Sequence, residues 1–372
     1  MLRAVTTTST TSRVIELARA IFGDSPLRSR AAAAQLEALL EAAPITTFAT
    51  LDRSLRDRGA HRRAGLPMLD LDTSTLEESR RATSDSIAPV AVAALGRSGW
   101  ARHAAVDALT GRTDRTSVAL LITRLTDPVD EIATAAWRAF EPLLADSNAA
   151  VLAACLPLLE HTDSRARAGR FAARSRVVAL LMSRAGLEAL ADAARSTDSA
   201  VRYSACRALA VKCAGTPAIE RVLRWALGDS DPRTRRWAAD VFANRAMTPA
   251  GIAERLVSLL AADPSPALRL AALRWRARAG DVAALTQAAF DANANVRFFA
   301  RRFLARCDAV IDYRSRALAS LADSASTAEL IGALAVLSES GRAADREAVS
   351  AFCDDARTRV AAEAARTLSM LQ

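Results

Sequence analysis

Apolar and polar positions follow the period of amphipathic helices along most of this chain, and the helical pattern itself recurs about every 32 residues. Each copy begins with a turn rich in Asp, Ser or Pro, continues with a branched apolar residue and an Arg, and ends in Ala- and Leu-rich sequence. The clearest copies read DSAVRYSACRAL from Asp198, DPRTRRWAADVF from Asp231, DPSPALRLAALRW from Asp263 and NANVRFFARRFL from Asn293. Such a repeat predicts helix pairs that stack and bury their apolar faces against their neighbours.

Three segments follow from where this pattern begins. Residues 87–372 carry the repeats, in about nine units, so the predicted fold is all-α, a right-handed superhelix of helix pairs. Residues 1–58 are predicted to form an N-terminal tail, disordered over its Thr-rich first 12 residues, and a helical cap that ends in a helix over 46–58. Residues 59–86 break the period and are predicted to form a loop or an ordered insertion.

The pattern is similar to the HEAT-repeat family and to its short bacterial relatives of the phycobilisome-lyase type. The residues that carry the resemblance are the turn residues, the Ala and Leu positions after them, and the pairs Val201-Arg202, Leu268-Arg269 and Val296-Arg297. It covers residues 87–372 and implies an α-solenoid that acts as a scaffold or adaptor.

The resemblance also implies a structural role for the Arg that follows each turn. In HEAT proteins this Arg forms a ladder with turn Asp residues of its own or the neighbouring repeat, and the pairs Asp198–Arg202 and Asp231–Arg235 fit that arrangement. We therefore do not count as functional candidates the ladder arginines Arg102, Arg167, Arg202, Arg235, Arg269 and Arg297.

The distribution of charge is more informative than its total. All but one of the 50 basic residues are arginines, and a GC-rich genome would produce this bias together with the high Ala content. Residues 200–310, however, carry 18 basic and 9 acidic side chains, which is an excess equal to the net charge of +9 on the whole chain. Codon usage does not concentrate charge in one segment, whereas a surface that binds an acidic partner does.

A helical wheel shows where these arginines lie. Positions one, five and nine after the ladder Arg point away from the core and form one exposed face of each second helix, which in HEAT arrays lines the concave side. The candidate binding residues on and beside this face are Tyr203, Arg207, Arg236, Trp237, Arg274, Arg278, Phe298, Arg302 and Arg306. Arg binds carboxylates and phosphates, and aromatic rings stack on bases or on Arg planes. The alternative is a solvated Arg-rich face whose aromatic residues lie partly in the core.

Asp240 is the one acidic residue in this predicted stripe. A family of alkylpurine DNA glycosylases built from HEAT-like repeats places a catalytic Asp, an Arg from the next repeat and aromatic residues on a basic concave face. Asp240, Arg274, Trp237 and Tyr313 are similar to that set in residue type and rough spacing, but the rest of the chain shows no match. The favoured interpretation is an Asp that forms ion pairs with its neighbouring arginines.

Other chemistry has little support in the sequence. There is no P-loop, no GxGxxG, no HExxH and no CxxC pair, and the three histidines are scattered, so we expect no metal and no cofactor. No apolar stretch is long enough to span a membrane, and the start of the chain lacks a signal core, so a soluble cytoplasmic protein is expected.

These observations favour a non-enzymatic HEAT-repeat scaffold or adaptor that binds an acidic protein partner through a basic concave surface of residues 200–310. The alternative is a protein that binds DNA or RNA through the same arginines, with a glycosylase-like activity at Asp240 as a remote extension. The oligomeric state stays open, since the acidic C-terminal part could meet the basic stripe of another copy.

Overall fold

The structure is a computed structural model that describes residues 2–22, 25–57, 73–82, 86–163, 171–244, 246–307, 310–323 and 326–371. Within these ranges all regular secondary structure is helical, with 22 α-helices that pack against their neighbours in chain order. The predicted all-α solenoid class is confirmed. The helices form two compact units, Met1–Lys212 (unit 1) and Cys213–Gln372 (unit 2), a division that the sequence analysis did not predict.

The helices of unit 1 are α1 (Leu2–Ile21), α2 (Pro26–Ala42), α3 (Thr47–Arg56), α4 (Thr73–Ala82), α5 (Ile87–Leu95), α6 (Gly99–Leu109), α7 (Arg115–Arg124), α8 (Asp130–Phe140), α9 (Ala149–Asp163), α10 (Ala173–Leu181), α11 (Arg184–Ala193) and α12 (Ser199–Cys213), in which the boundary lies. Those of unit 2 are α13 (Ile219–Leu227), α14 (Pro232–Ala243), α15 (Ala250–Ala261), α16 (Pro266–Arg278), α17 (Val282–Ala288), α18 (Ala294–Leu304), α19 (Tyr313–Asp323), α20 (Thr327–Ser340), α21 (Arg346–Ser350) and α22 (Thr358–Met370).

Two predictions for the N-terminal region have clear outcomes. Helix α1 begins at Leu2, so the prediction of a disordered segment over residues 1–12 is wrong; low helix propensity of Thr is a weak preference that context overrides. The predicted helix over 46–58 is α3, and its apolar residues Phe48, Leu51 and Leu55 are buried. Of the segment 59–86, residues 73–82 form α4, whereas 59–72 lie outside the described residues.

The turn residues start the second helices by capping them. In unit 2 the Asp231 carboxylate accepts a hydrogen bond of 2.9 Å from the backbone N–H of Arg233, and the Asn293 side chain accepts one of 3.0 Å from Asn295. Pro232 follows Asp231 at the first helical position, where a missing N–H costs nothing. The Asp-Pro signal of the repeat is thus a helix start.

The predicted arginine ladder is present in both units, and four of its arginines bind a carboxylate further along the chain, as the arrangement with a neighbouring repeat implied. Each guanidinium donates to backbone carbonyls five and six residues earlier and, in four cases, to a carboxylate 22 to 42 residues later. The carbonyl pattern is shared by Arg102, Arg202, Arg235, Arg269 and Arg297. The ion pairs join Arg102 with Asp127, Arg235 with Asp263, Arg269 with Asp291, and Arg297 with Glu339.

Two details of the ladder prediction need correction. Asp198 accepts from the backbone N–H groups of Ala200 and Ile45, and Asp231 caps its own helix, so neither carboxylate has the suggested role as the ladder partner within its repeat. Asp263 and Asp291 accept from their own turn backbone as well, and each binds a ladder Arg that comes from the preceding repeat. Arg167 lies outside the described residues.

Unit 1 continues its ladder into a buried network of charges. Arg124, at the end of α7 and fully buried, donates to Asp127 over 2.6 Å and also to Asp52 of α3. Arg102 donates to both oxygens of Asp127, one of which also accepts from Arg124, and Arg56 binds Asp52. Burial lowers the pKa of Arg124 to about 10, so this side chain remains protonated at neutral pH. It ties helix α3 of the N-terminal cap to the first repeats.

The described residues contain no single helix with the length and apolarity of a membrane span. Among these residues, one bent pair of helical segments, Asp130–Leu143 and Asp146–Thr162, is long and apolar enough when the two are counted together. The two segments are bent by 100° at the break between them, and the match rests on length and composition alone.

Candidate functional site

The second helices of three consecutive pairs in unit 2, α14, α16 and α18, are neighbours in the stack. Ala238 and Ala272 are buried on these helices and carry small side chains, which permit close helix packing. Between α14 and α16 lies a groove of about 270 Å³. Its lining residues, which define the groove from here on, are Arg236, Ala239, Asp240, Phe242, Ala243, Ala267, Leu268, Leu270, Ala271, Arg274, Trp275 and Arg278.

Three of the predicted binding residues, Arg236, Arg274 and Arg278, therefore line one groove, as the wheel positions suggested. All three are exposed, and none of them has a carboxylate within 4 Å among the described residues of unit 2. The ladder residues Arg235 and Arg269, on the same helices, are engaged by Asp263 and Asp291. Each of these two helices thus carries one ladder arginine that binds a carboxylate. The groove arginines on the same helices are exposed to solvent.

Asp240 lies in the same groove, one turn after Arg236, and its side chain is exposed. Within the part of unit 2 that the structure describes, it forms no ion pair and no side-chain hydrogen bond, so the interpretation of Asp240 as an Asp paired with neighbouring arginines is wrong. Exposed long side chains gain little from such a pair, and solvation competes effectively with it. The groove therefore presents three cations and one anion to a ligand.

The four residues that resemble a glycosylase site do not converge in this structure. Asp240 and Arg274 line the groove, but Trp237 is not among its lining residues. Tyr313, at the start of α19, packs instead against Phe290, with ring centroids 6.0 Å apart, and under the guanidinium of Arg301. Two aromatic residues line the groove, the buried Phe242 and the half-buried Trp275.

The third helix, α18, continues the stripe with alternating aromatic and basic residues. Phe298 is 67% exposed, an unusual position for a side chain of this size, and Arg302 and Arg306 are exposed beside it. The guanidinium of Arg306 lies 5.5 Å from the ring of Phe303, and that of Arg274 lies 5.9 Å from the ring of Phe299. Phe299 and Phe303 pack at 4.8 Å, so the rings position the two cations.

The two candidates in unit 1 differ from those in unit 2. Arg207 lies 5.4 Å from the ring of Tyr203, and it also faces Glu160 of α9 at 3.5 Å. Glu160 in turn accepts a hydrogen bond of 2.6 Å from Ser204. Because its charge is partly compensated, Arg207 is a weaker binding candidate than the groove arginines.

Unit 2 also holds a larger cleft, of about 1020 Å³, on the side of the inter-repeat turns. Its carboxylates Asp263 and Asp291 are engaged by ladder arginines, and Arg316 lies over the ring of Phe290 at 5.5 Å. Arg359 is exposed at the cleft and forms no ion pair with the described residues of unit 2. With most of its charges engaged, the cleft offers a ligand fewer unpaired donors than the groove.

One of the comparisons with known proteins identifies the repeat. Residues 187–251 match the family model for HEAT repeats, so the resemblance read from the sequence is confirmed, and the matched stretch includes α14. No curated protein matches the chain. Among solved structures, the crystal structure of an engineered protein is 21% identical and covers 96% of this chain and 98% of its own, with a TM-score of 0.30.

Proposed function

Because this chain carries HEAT repeats and is a repeat scaffold for interactions, we propose that it binds an acidic segment of a partner protein through the groove of unit 2 and catalyses no reaction itself. The observation that carries the proposal is the set of exposed, unpaired arginines Arg236, Arg274 and Arg278 around a floor of small apolar side chains. A surface that keeps cations unpaired favours a ligand that brings carboxylates.

The shape of the groove favours a helical segment as the occupant. It lies between the neighbouring helices α14 and α16 and is lined by Ala239, Ala243, Ala267 and Ala271, which leave room for side chains of a third helix. Carboxylates spaced three or four residues apart on a helix lie about 5–6 Å from one another, close to the spacing of arginines on successive turns. Trp275, half-buried in the groove, supplies an apolar contact of the kind that anchors interfaces.

Electrostatics alone would give modest affinity. Each exposed Arg–carboxylate pair contributes about 0.2–1 kcal/mol, so three pairs change the dissociation constant by about 3- to 150-fold. The dissociation constant should rise markedly with salt concentration, because exposed charges are screened within about 8 Å at physiological ionic strength.

The test uses a labelled helical peptide that carries Glu at every fourth position as the probe, measured by fluorescence anisotropy at low and near-physiological salt. Changing Arg236, Arg274 and Arg278 together to Ala should weaken binding by about 3- to 150-fold. A control with the same loss of charge changes Arg221, Arg316 and Arg359, three exposed arginines of unit 2 outside the groove. Equal losses in the two triple variants would contradict a groove-specific interaction and leave only general charge attraction.

A second candidate function, nucleic-acid binding, has one observation in its favour. On α18 the exposed Phe298 lies beside Arg302 and Arg306, a combination that suits bases stacked on rings and phosphates bound by guanidinium groups. A labelled oligothymidylate is the matching probe. Binding that weakens steeply with salt and is lost in Phe298→Ala more than in the groove triple variant would support it over the protein partner.

A further inference from the structure

Asp240 has no structural role that explains its presence in a basic groove. Its carboxylate caps no helix and pairs with no described residue of unit 2, whereas Asp231, Asp263 and Asp291 all accept backbone hydrogen bonds in their turns. It nevertheless lies among Arg236, Arg274 and Arg278 on the lining of the groove. Because the carboxylate of Asp240 forms no bond within the described part of unit 2, its negative charge acts on any ligand that binds in the groove.

The effect of this anion depends on how the ligand spaces its charges. Every link of a nucleic-acid strand carries a phosphate and none carries a cation, so a backbone lying along α14 places negative charge near Asp240 as well as near Arg236. A protein helix presents separate charges and can place a cation between two carboxylates. Repulsion of like charges at one position is a common means of excluding the wrong class of ligand.

We infer that Asp240 is a specificity residue of the groove: it selects a partner segment in which a Lys or Arg lies among carboxylates, and it disfavours uniform polyanions, including nucleic acid. This inference rests on the proposed binding of an acidic segment and adds the charge pattern that the segment carries. The three arginines hold the carboxylates of the partner, and Asp240 accepts from its single cation.

The test is a double-mutant cycle between Asp240 and the peptide. Two labelled helical peptides serve as probes, one with Glu at every fourth position and one in which the central Glu is Lys. Wild type should bind the Lys peptide more tightly despite its lower negative charge, and Asp240→Asn should reverse that order, with a coupling of about 2- to 5-fold. The same variant should bind oligothymidylate about twofold or more tightly than wild type, because one repulsive charge is gone.

Glu254→Gln provides the matched control, since Glu254 is an exposed carboxylate on α15 that does not line the groove. It should shift both peptides by the same small factor. An Asp240→Asn variant that also shifts both peptides equally, or that weakens oligothymidylate binding, would overturn the inference.

The failure of this inference is separable from that of the proposed function. If the groove triple variant loses both peptides while Asp240→Asn does not discriminate between them, acidic binding stands and the selection by Asp240 falls. If the groove triple variant binds both peptides as wild type does, the proposed function falls and the inference falls with it.

Discussion

In unit 1, buried arginines and aspartates form a connected network between the helices. In unit 2, the groove arginines on the second helices have no carboxylate partner among the described residues. In unit 1, Arg124 and Asp127 are buried and hold each other at 2.6 Å. In unit 2, Arg236, Arg274 and Arg278 are exposed around one groove. The same kind of side chain thus stabilises one unit and remains available for binding in the other, and only the position of a carboxylate distinguishes the two uses.

The comparison also holds within a single helix. Arg269 and Arg274 are five residues apart on α16, yet the first binds Asp291 through two hydrogen bonds of 2.7 and 2.8 Å and the second contacts no carboxylate in the described part of unit 2. Residue type and abundance therefore say little about function in an Arg-rich chain. Substitution should separate the arginines that stabilise the fold from the groove arginines that remain available for binding.

Arg124→Ala should destabilise unit 1 by about 3–5 kcal/mol, because it removes the central cation from the two buried carboxylates of Asp52 and Asp127. The measurement is urea unfolding followed by circular dichroism. The matched control is Arg138→Ala, which removes an exposed arginine of α8 without an ion partner among the described residues and should stay within about 0.5 kcal/mol. Similar losses in both variants would mean that the buried network adds nothing specific.

Arg269→Ala should destabilise unit 2 by about 2–3 kcal/mol, because it leaves Asp291 and two turn carbonyls without a charged donor. Arg274→Ala should change the free energy of unfolding by less than about 0.5 kcal/mol while weakening the binding of the acidic peptide. The two variants are compared by thermal unfolding and by anisotropy. A stability loss in Arg274→Ala that matches Arg269→Ala would remove the distinction between ladder and groove arginines.

As the pH falls, the contribution of Asp127 in the unit 1 ladder to the free energy of unfolding should decrease. Burial by itself raises the pKa of Asp127, but hydrogen bonds from Arg102 and the charge of Arg124 outweigh it and lower that pKa below its usual value. A carboxyl group with a lowered folded pKa stabilises the protein above its unfolded pKa, and that stability is lost as pH falls through the folded pKa. The stability difference between wild type and Asp127→Asn should therefore be largest near neutral pH and shrink below about pH 4. A difference that is constant with pH would contradict this.

Much of the fold and part of the site follow from the sequence, and the physical reasons are visible. The spacing of Asp-Pro turns predicted the second helices, since caps and apolar faces are local properties. The wheel placed Arg236, Arg274 and Arg278 on one face for the same reason. The role of Trp275, the partners of the ladder arginines and the unpaired state of Asp240 were missed, because each depends on where the next repeat lies.

The most direct test of the two arginine classes is footprinting with phenylglyoxal, which modifies accessible guanidinium groups, read by mass spectrometry with and without the all-Glu helical peptide. The account predicts fast modification of Arg236, Arg274 and Arg278, slow modification of Arg235, Arg269 and Arg297, and protection of the first set alone when the peptide is present. Equal reactivity of the two sets, or a peptide that binds without protecting the groove arginines, would contradict it.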